Sequence, residues 1–134
     1  MDISSIELPG SEVEDIRIDG DRVVVRFSRA YIVKSMTGSK DRTRWWQAGE
    51  LIFTDATVEA PCPKGRHICA GGDVGENVYT YRDMIPTPLD SRGRAHCDLR
   101  FEGTQERLIV RAGSVRLDME DRPHYIEHIK PQVP

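Results

Sequence analysis

The stretch Asp15-Ile-Arg-Ile18, Asp19-Gly-Asp-Arg22, Val23-Val-Val-Arg-Phe27 decides the fold class. It reads as two short alternating strands around a glycine-bearing turn. Cross-strand pairing discriminates between the possible registers. A two-residue loop at Asp19-Gly20 sets Ile18 against Asp21 and Arg17 against Arg22, poor matches on both faces. A four-residue loop from Asp19 to Arg22 sets Ile18 against Val23, Ile16 against Val25 and Asp15 against Arg26. Apolar then meets apolar on one face and opposite charges meet on the other, at roughly 0.2–1 kcal/mol per pair.

The same logic recurs near the C-terminus, in Asp98-Leu-Arg-Phe-Glu102, Gly103-Thr-Gln-Glu106 and Arg107-Leu-Ile-Val-Arg111. A loop from Gly103 to Glu106 pairs Phe101 with Leu108, Leu99 with Val110, Glu102 with Arg107 and Asp98 with Arg111. Two hairpins solved by one rule predict antiparallel sheet.

Between them, Val23, Val25 and Phe27 share a face that Ala30 and Ile32 then resume one residue out of phase. This predicts a bulge at Ser28-Arg29. Residues 1–11 read as a lead-in with a turn at Pro9-Gly10, Lys34 to Arg44 as a long exposed loop, and Trp45 to Ala60 as strand bent at Gly49. Pro61 to Asn77, with two prolines and four glycines, reads as irregular. Val78 to Tyr81 reads as a short strand, and Met84 to Gly93 as a second loop. Ala95 to Met119 reads as a three-strand meander turning at Ala112-Gly113. Pro123 to Ile129 reads as one or two helical turns whose Tyr125, Ile126 and Ile129 cover the core. The expected fold is all-β: an antiparallel β-sandwich or flattened barrel of about seven strands with a short C-terminal helical segment, forming one domain over residues 1–134.

With 134 residues the chain can bury about two thirds of its unfolded surface, so it needs no disulfide or metal to fold. Charged residues make up 31% of it, yet the formal net charge is only −3. No strong field singles out nucleic acid or an anionic membrane as partner. An odd cysteine count, three, suits a reducing compartment. The first residues lack a signal peptide's basic and apolar regions, and no apolar run approaches membrane-spanning length. A cytoplasmic protein is the expectation.

Candidate chemistry is sparse. Cys62, His67 and Cys69, with His124 and His128, could supply tetrahedral zinc ligands. Their spacing matches no zinc pattern, and the expectation is no metal and no cofactor. His96-Cys97 are neighbours that a strand would point to opposite faces, no Gly-x-Ser-x-Gly elbow occurs, and no catalytic residue is assigned. Gly71 to Asn77 lacks the lysine of a phosphate cradle and the alternating acids of a calcium loop. Lys40-Asp-Arg42-Thr-Arg44-Trp45-Trp46 joins cations to aromatics, as binding surfaces do. Arg42, Arg44, Trp45 and Trp46 are therefore the expected partner-binding residues, with the segment Arg66 to Asn77 as a second face. The partner is another protein or a second copy.

The segment Ile16-Arg-Ile-Asp-Gly-Asp-Arg-Val-Val-Val-Arg-Phe-Ser-Arg-Ala-Tyr-Ile32 resembles the opening of small bacterial all-β proteins, some of them grouped with immunity proteins of toxin systems. The resemblance covers about the first quarter of the chain and implies a binding role without catalysis. The sequence thus points to a non-catalytic binding protein. The rival reading is a small-molecule binder or enzyme with a pocket between sheets, lined by Tyr79, Tyr81, Arg94 and His96.

Overall fold

The structure, a computed structural model, describes residues 2–36, 38, 40–59 and 61–130. Ten strands occur among these residues and no helix: β1 (Asp2–Asp19), β2 (Arg22–Met36), β3 (Arg42–Thr54), β4 (Thr57–Val58), β5 (His67–Glu76), β6 (Tyr79–Arg82), β7 (Met84–Thr87), β8 (Asp90–Phe101), β9 (Arg107–Met119) and β10 (His124–Ile129). All pairings are antiparallel. Six strands form a closed circuit, β1-β2-β3-β9-β8-β5 and back to β1. Of the two expected architectures, sandwich or barrel, the sheet closes as a barrel among the described residues.

The first hairpin takes the expected pairs, Ile18 with Val23, Ile16 with Val25 and Asp15 with Arg26. It closes one pair further, at Asp19 and Arg22, because Gly20 adopts φ +61° and permits a tight two-residue turn. The β2 bulge lies where the phase change requires it: pairing with β3 slips between Phe27 and Ala30, and Val23, Val25, Phe27, Ala30 and Ile32 are all buried.

Other expectations are corrected. The lead-in is strand, since β1 begins at Asp2 and makes an irregular excursion between Glu7 and Glu12, around Pro9-Gly10, before pairing resumes. The loop expected over Lys34–Arg44 shrinks between strands ending at Met36 and starting at Arg42; Thr37 and Ser39 of that reading, like Ala60 of the next, lie outside the described residues. The C-terminal hairpin slides by two residues, pairing Leu99 with Leu108, Cys97 with Val110 and Arg100 with Arg107. A two-residue slide keeps every side chain on its face, so Leu99, Phe101, Leu108 and Val110 still reach the core. The Ala112-Gly113 turn is absent. There β9 runs on, exchanging β4 for β3 as its neighbour.

The glycine-rich segment is not irregular beyond its first six residues; from His67 it is barrel strand β5. Its glycines serve close approach. Gly71 and Gly72 take φ +140° and +141°, and Gly75 lies beneath the His96 ring. Likewise Met84–Thr87 pairs with β1 instead of looping. The expected C-terminal helix is strand β10. The edge of β3 beyond Gly49, where β9 ends its pairing, offers unpaired backbone groups, and the Tyr- and Ile-bearing segment fills them. Tyr125 and Ile126 are consequently exposed, at 57% and 40%, instead of covering the core.

Side chains fill the barrel. Phe27, Phe53, Leu51, Leu99 and Leu108 are fully buried, each contributing about 1.5–3 kcal/mol by leaving water. Strands β1, β2 and β3 overrun the barrel at one end. With β7 and β10 on their flanks they form a wing ordered β7-β1-β2-β3-β10.

Candidate functional site

Strand alternation divides the Trp/Arg cluster of β3. Arg42, Arg44 and Trp46 project from the wing's outer face; Trp45 projects from the opposite face, packed against the core. Neither tryptophan stands free. Trp45 meets Tyr125 edge-on at 5.2 Å between centroids, carries the Lys34 ammonium 4.5 Å above its ring, and donates its Nε1–H to Thr43 Oγ1 at 2.8 Å. Trp46 stacks on His124 at 4.2 Å, and the Arg29 guanidinium lies 4.4 Å from the same centroid. An imidazole and a guanidinium both lie against this ring. The outward tryptophan is thus covered by its own chain, through the strand that sequence reading made a helix.

Arg44 holds the centre of the outer face. Its guanidinium reaches Glu7 at 3.4 Å and Glu127 at 3.2 Å, while its buried Nε has no acceptor. Two hollows share it. One, of about 320 Å³, is walled by Glu7, Tyr31 and Ile126; the other, of about 240 Å³, by Val33, Arg42 and Ile129. The Tyr31 hydroxyl donates to Glu12 at 2.9 Å, and burial together with that carboxylate raises its pKa. Arg42 is exposed and makes no ion pair among the described residues. Ile3, on the same face, is 59% exposed. Sequence reading missed Glu7, Tyr31, Val33 and Glu127 because they come from other strands. Their register against Arg44 and Trp46 was the signal, and it needed the wing pairing to be seen.

The second face, Arg66 to Asn77, is divided: Asp73 lines a hollow with β8 and β9, and the first residues line another. Arg66, His67 and Ile68 line a hollow of about 490 Å³ with Glu12, Ser28 and Glu102. The rival pocket is rearranged. Arg94 and His96 line a hollow of about 620 Å³ on the outer surface of β5, β8 and β9, not between sheets. Tyr79 and Tyr81 are not with them: Tyr81 pairs with Val74 and His96 with Gly75, so register puts them on opposite faces. The two tyrosines stack at 6.4 Å, and Tyr81 donates to Glu76.

The zinc candidates are dispersed. Cys69 is buried in the core, Cys62 lies ahead of β5, His67 bonds the Lys64 carbonyl, His124 lies on Trp46, and His128 Nε2 is 3.6 Å from Asp41. No three His, Cys, Asp or Glu side chains among the described residues are placed to hold a metal ion. Cys97 and His96 point to opposite faces, as alternation requires. Burial raises both core thiols, Cys69 to about 11 and Cys97 further, which suppresses thiolate formation.

Compared with known proteins, the chain matches no protein-family model, no curated protein and no solved structure. No helix among the described residues is long and apolar enough to cross a membrane.

Proposed function

We propose that the protein is a non-catalytic binding module whose contact face is the outer face of the wing. The supporting observation is the company Arg42 and Arg44 keep: two guanidinium groups on a sheet face studded with part-exposed apolar side chains, Ile3, Val33, Ile126 and Ile129. Arginine beside apolar contact area, with hollows to receive partner side chains, is the composition of interface centres. The partner is a protein presenting apolar side chains around a carboxylate that reaches Arg42. Glu7 and Glu127 already share Arg44 and would repel a third acid there. The resemblance to immunity proteins points to the same kind of role.

The test places a photo-crosslinking residue at Val33, and at Thr80 on the far side as control, in the protein's own host. The expected result is one dominant crosslinked protein at Val33 alone. Arg42→Glu should abolish it and weaken the purified pair by roughly 30-fold, the weight of a hot-spot arginine at about 2 kcal/mol. Equal crosslinking at Thr80, indifference to Arg42→Glu, or a dimer of the chain itself as the product would overturn this assignment of face and partner.

A further inference from the structure

The hollow of about 620 Å³ on β5, β8 and β9 has the size of a small-molecule site. Its charged lining is Glu59, Asp73, Arg94, His96, Asp98 and Arg111, and these groups are unequally engaged. Each acid already has a cation. Arg111 Nε is 2.8 Å from Glu59, Arg82 Nε is 3.4 Å from Asp73, and Arg107 grips both oxygens of Asp98, with its Nε at 2.9 Å. Arg94 and His96 are left over. Neither side chain makes a hydrogen bond or ion pair with any described residue; the Arg94 carbonyl accepts from the Asn77 N–H at 2.7 Å. Both belong to β8 and line the same hollow, Arg94 from the bulge that precedes Ala95.

His96 is fixed in place by glycine. A Cβ on Gly75 would stand 2.6 Å from His96 Nε2 and closer still to Nδ1 and Cε1. The imidazole thus lies on bare backbone, where it is supported but donates to nothing. The unengaged donors in the hollow are the five guanidinium N–H groups of Arg94 and one imidazole N–H of His96. Beside them the half-buried Ile109 and Ala112 provide apolar wall.

We infer that this hollow binds a small organic oxyanion, a carboxylate or phosphate on a compact apolar body, with Arg94 gripping the anion and His96 donating to it. A guanidinium with no internal partner suits bidentate recognition of either headgroup. The three acids of the lining are paired with cations, Asp73 with Arg82, Asp98 with Arg107 and Glu59 with Arg111, which offsets their repulsion of the ligand. The site lies apart from the wing's outer face, so it stands or falls independently of the protein-binding role.

The experiment is a titration of isotope-labelled protein followed by NMR, with benzoate, phenyl phosphate and the neutral benzamide as probes. One or both anions should give saturable shifts at His96 and Arg94 and at the amides around Ile109, with the stronger anion identifying the headgroup. Benzamide should give none. Arg94→Ala, an exposed position whose loss leaves the core intact, should weaken the anion by at least about tenfold, the loss of one charge-assisted pair. The inference fails if neither anion shifts these signals, if benzamide shifts them equally, or if Arg94→Ala binds as tightly as the unaltered protein.

Discussion

Gly72 shows how much one missing side chain holds in place. A Cβ there would stand 2.8 Å from Leu99 Cα and overlap the Asp98 carbonyl oxygen, on a backbone at φ +141° that L-residues rarely adopt. Its N–H donates to Asp83 Oδ1 at 2.9 Å, and its carbonyl accepts from the Asp83 N–H at 2.7 Å. Neither strand can retreat without breaking the β5–β8 ladder of the barrel. Gly72→Ala is therefore expected to cost roughly 2–4 kcal/mol, combining strain with a backbone clash. Gly20→Ala, at φ +61° with nothing within 4 Å of the added carbon, carries only the left-handed penalty of about 1–2 kcal/mol. Urea unfolding of the two variants side by side measures the difference, and equal midpoints would show that β5 and β8 can separate. The sequence displays both glycines alike. Contact with a strand some 25 residues away separates them, which is why the segment reads as loop until the pairing is known.

At the scale of elements, β3 and β10 carry the lesson about what a local pattern hides. The hairpins, the β2 bulge and the opposed directions of Trp45 and Trp46 are period-two facts, legible within a few residues. Strand β10 is not. Six residues set between Pro123 and Pro131 are compatible with a helical turn or a strand, and the open edge of β3 decides between them. Its hold on that edge is backbone pairing plus two ring contacts, Trp45 with Tyr125 and Trp46 with His124. Trp46→Ala removes one ring contact and the Arg29 stack, together about 1–2.5 kcal/mol, without touching the core. We expect amide exchange of residues 124–129 to quicken while β5, β8 and β9 keep their protection. Trp45→Ala, which also opens the edge of the core, should lower global stability as well. Unaltered exchange in β10 after Trp46→Ala would mean that the rings contribute nothing to its docking.

For the whole molecule, the question is how one set of strands serves two bodies. β1, β2 and β3, of 18, 15 and 13 residues, are far longer than the usual strand of about 5–6. Each passes from barrel to wing, and the irregularities at Pro9-Gly10 and Ser28-Arg29 mark the crossing. The outer face of the wing was legible residue by residue in β3 alone; its assembly from four further strands follows from closure of the barrel, which no single segment encodes. At the junction the chain leaves β9 for β10 through Glu120, whose N–H donates to the Ala48 carbonyl and whose carboxylate takes two hydrogen bonds from Arg26, at 2.5 and 2.8 Å. Arg26 stands opposite Asp15 in register but turns to Glu120, with Glu14 at 3.5 Å. Its hydrogen bonds are the main cause holding the Glu120 carboxyl below its ordinary value of 4.5, and Glu120 in turn raises Arg26. A carboxylate whose folded pKa is depressed contributes stability that is full above the unfolded pKa and lost as pH falls through the folded one. Glu120→Gln should accordingly lower the urea midpoint at pH 7, and the gap to the unaltered protein should close on acidification below the ordinary glutamate range. The loss should appear first in the amides of β10 and the 120–123 link, because that clamp fixes where the wing joins the barrel. A gap that stays constant from neutral pH to pH 3 would show that the glutamate acts there through shape and not through charge.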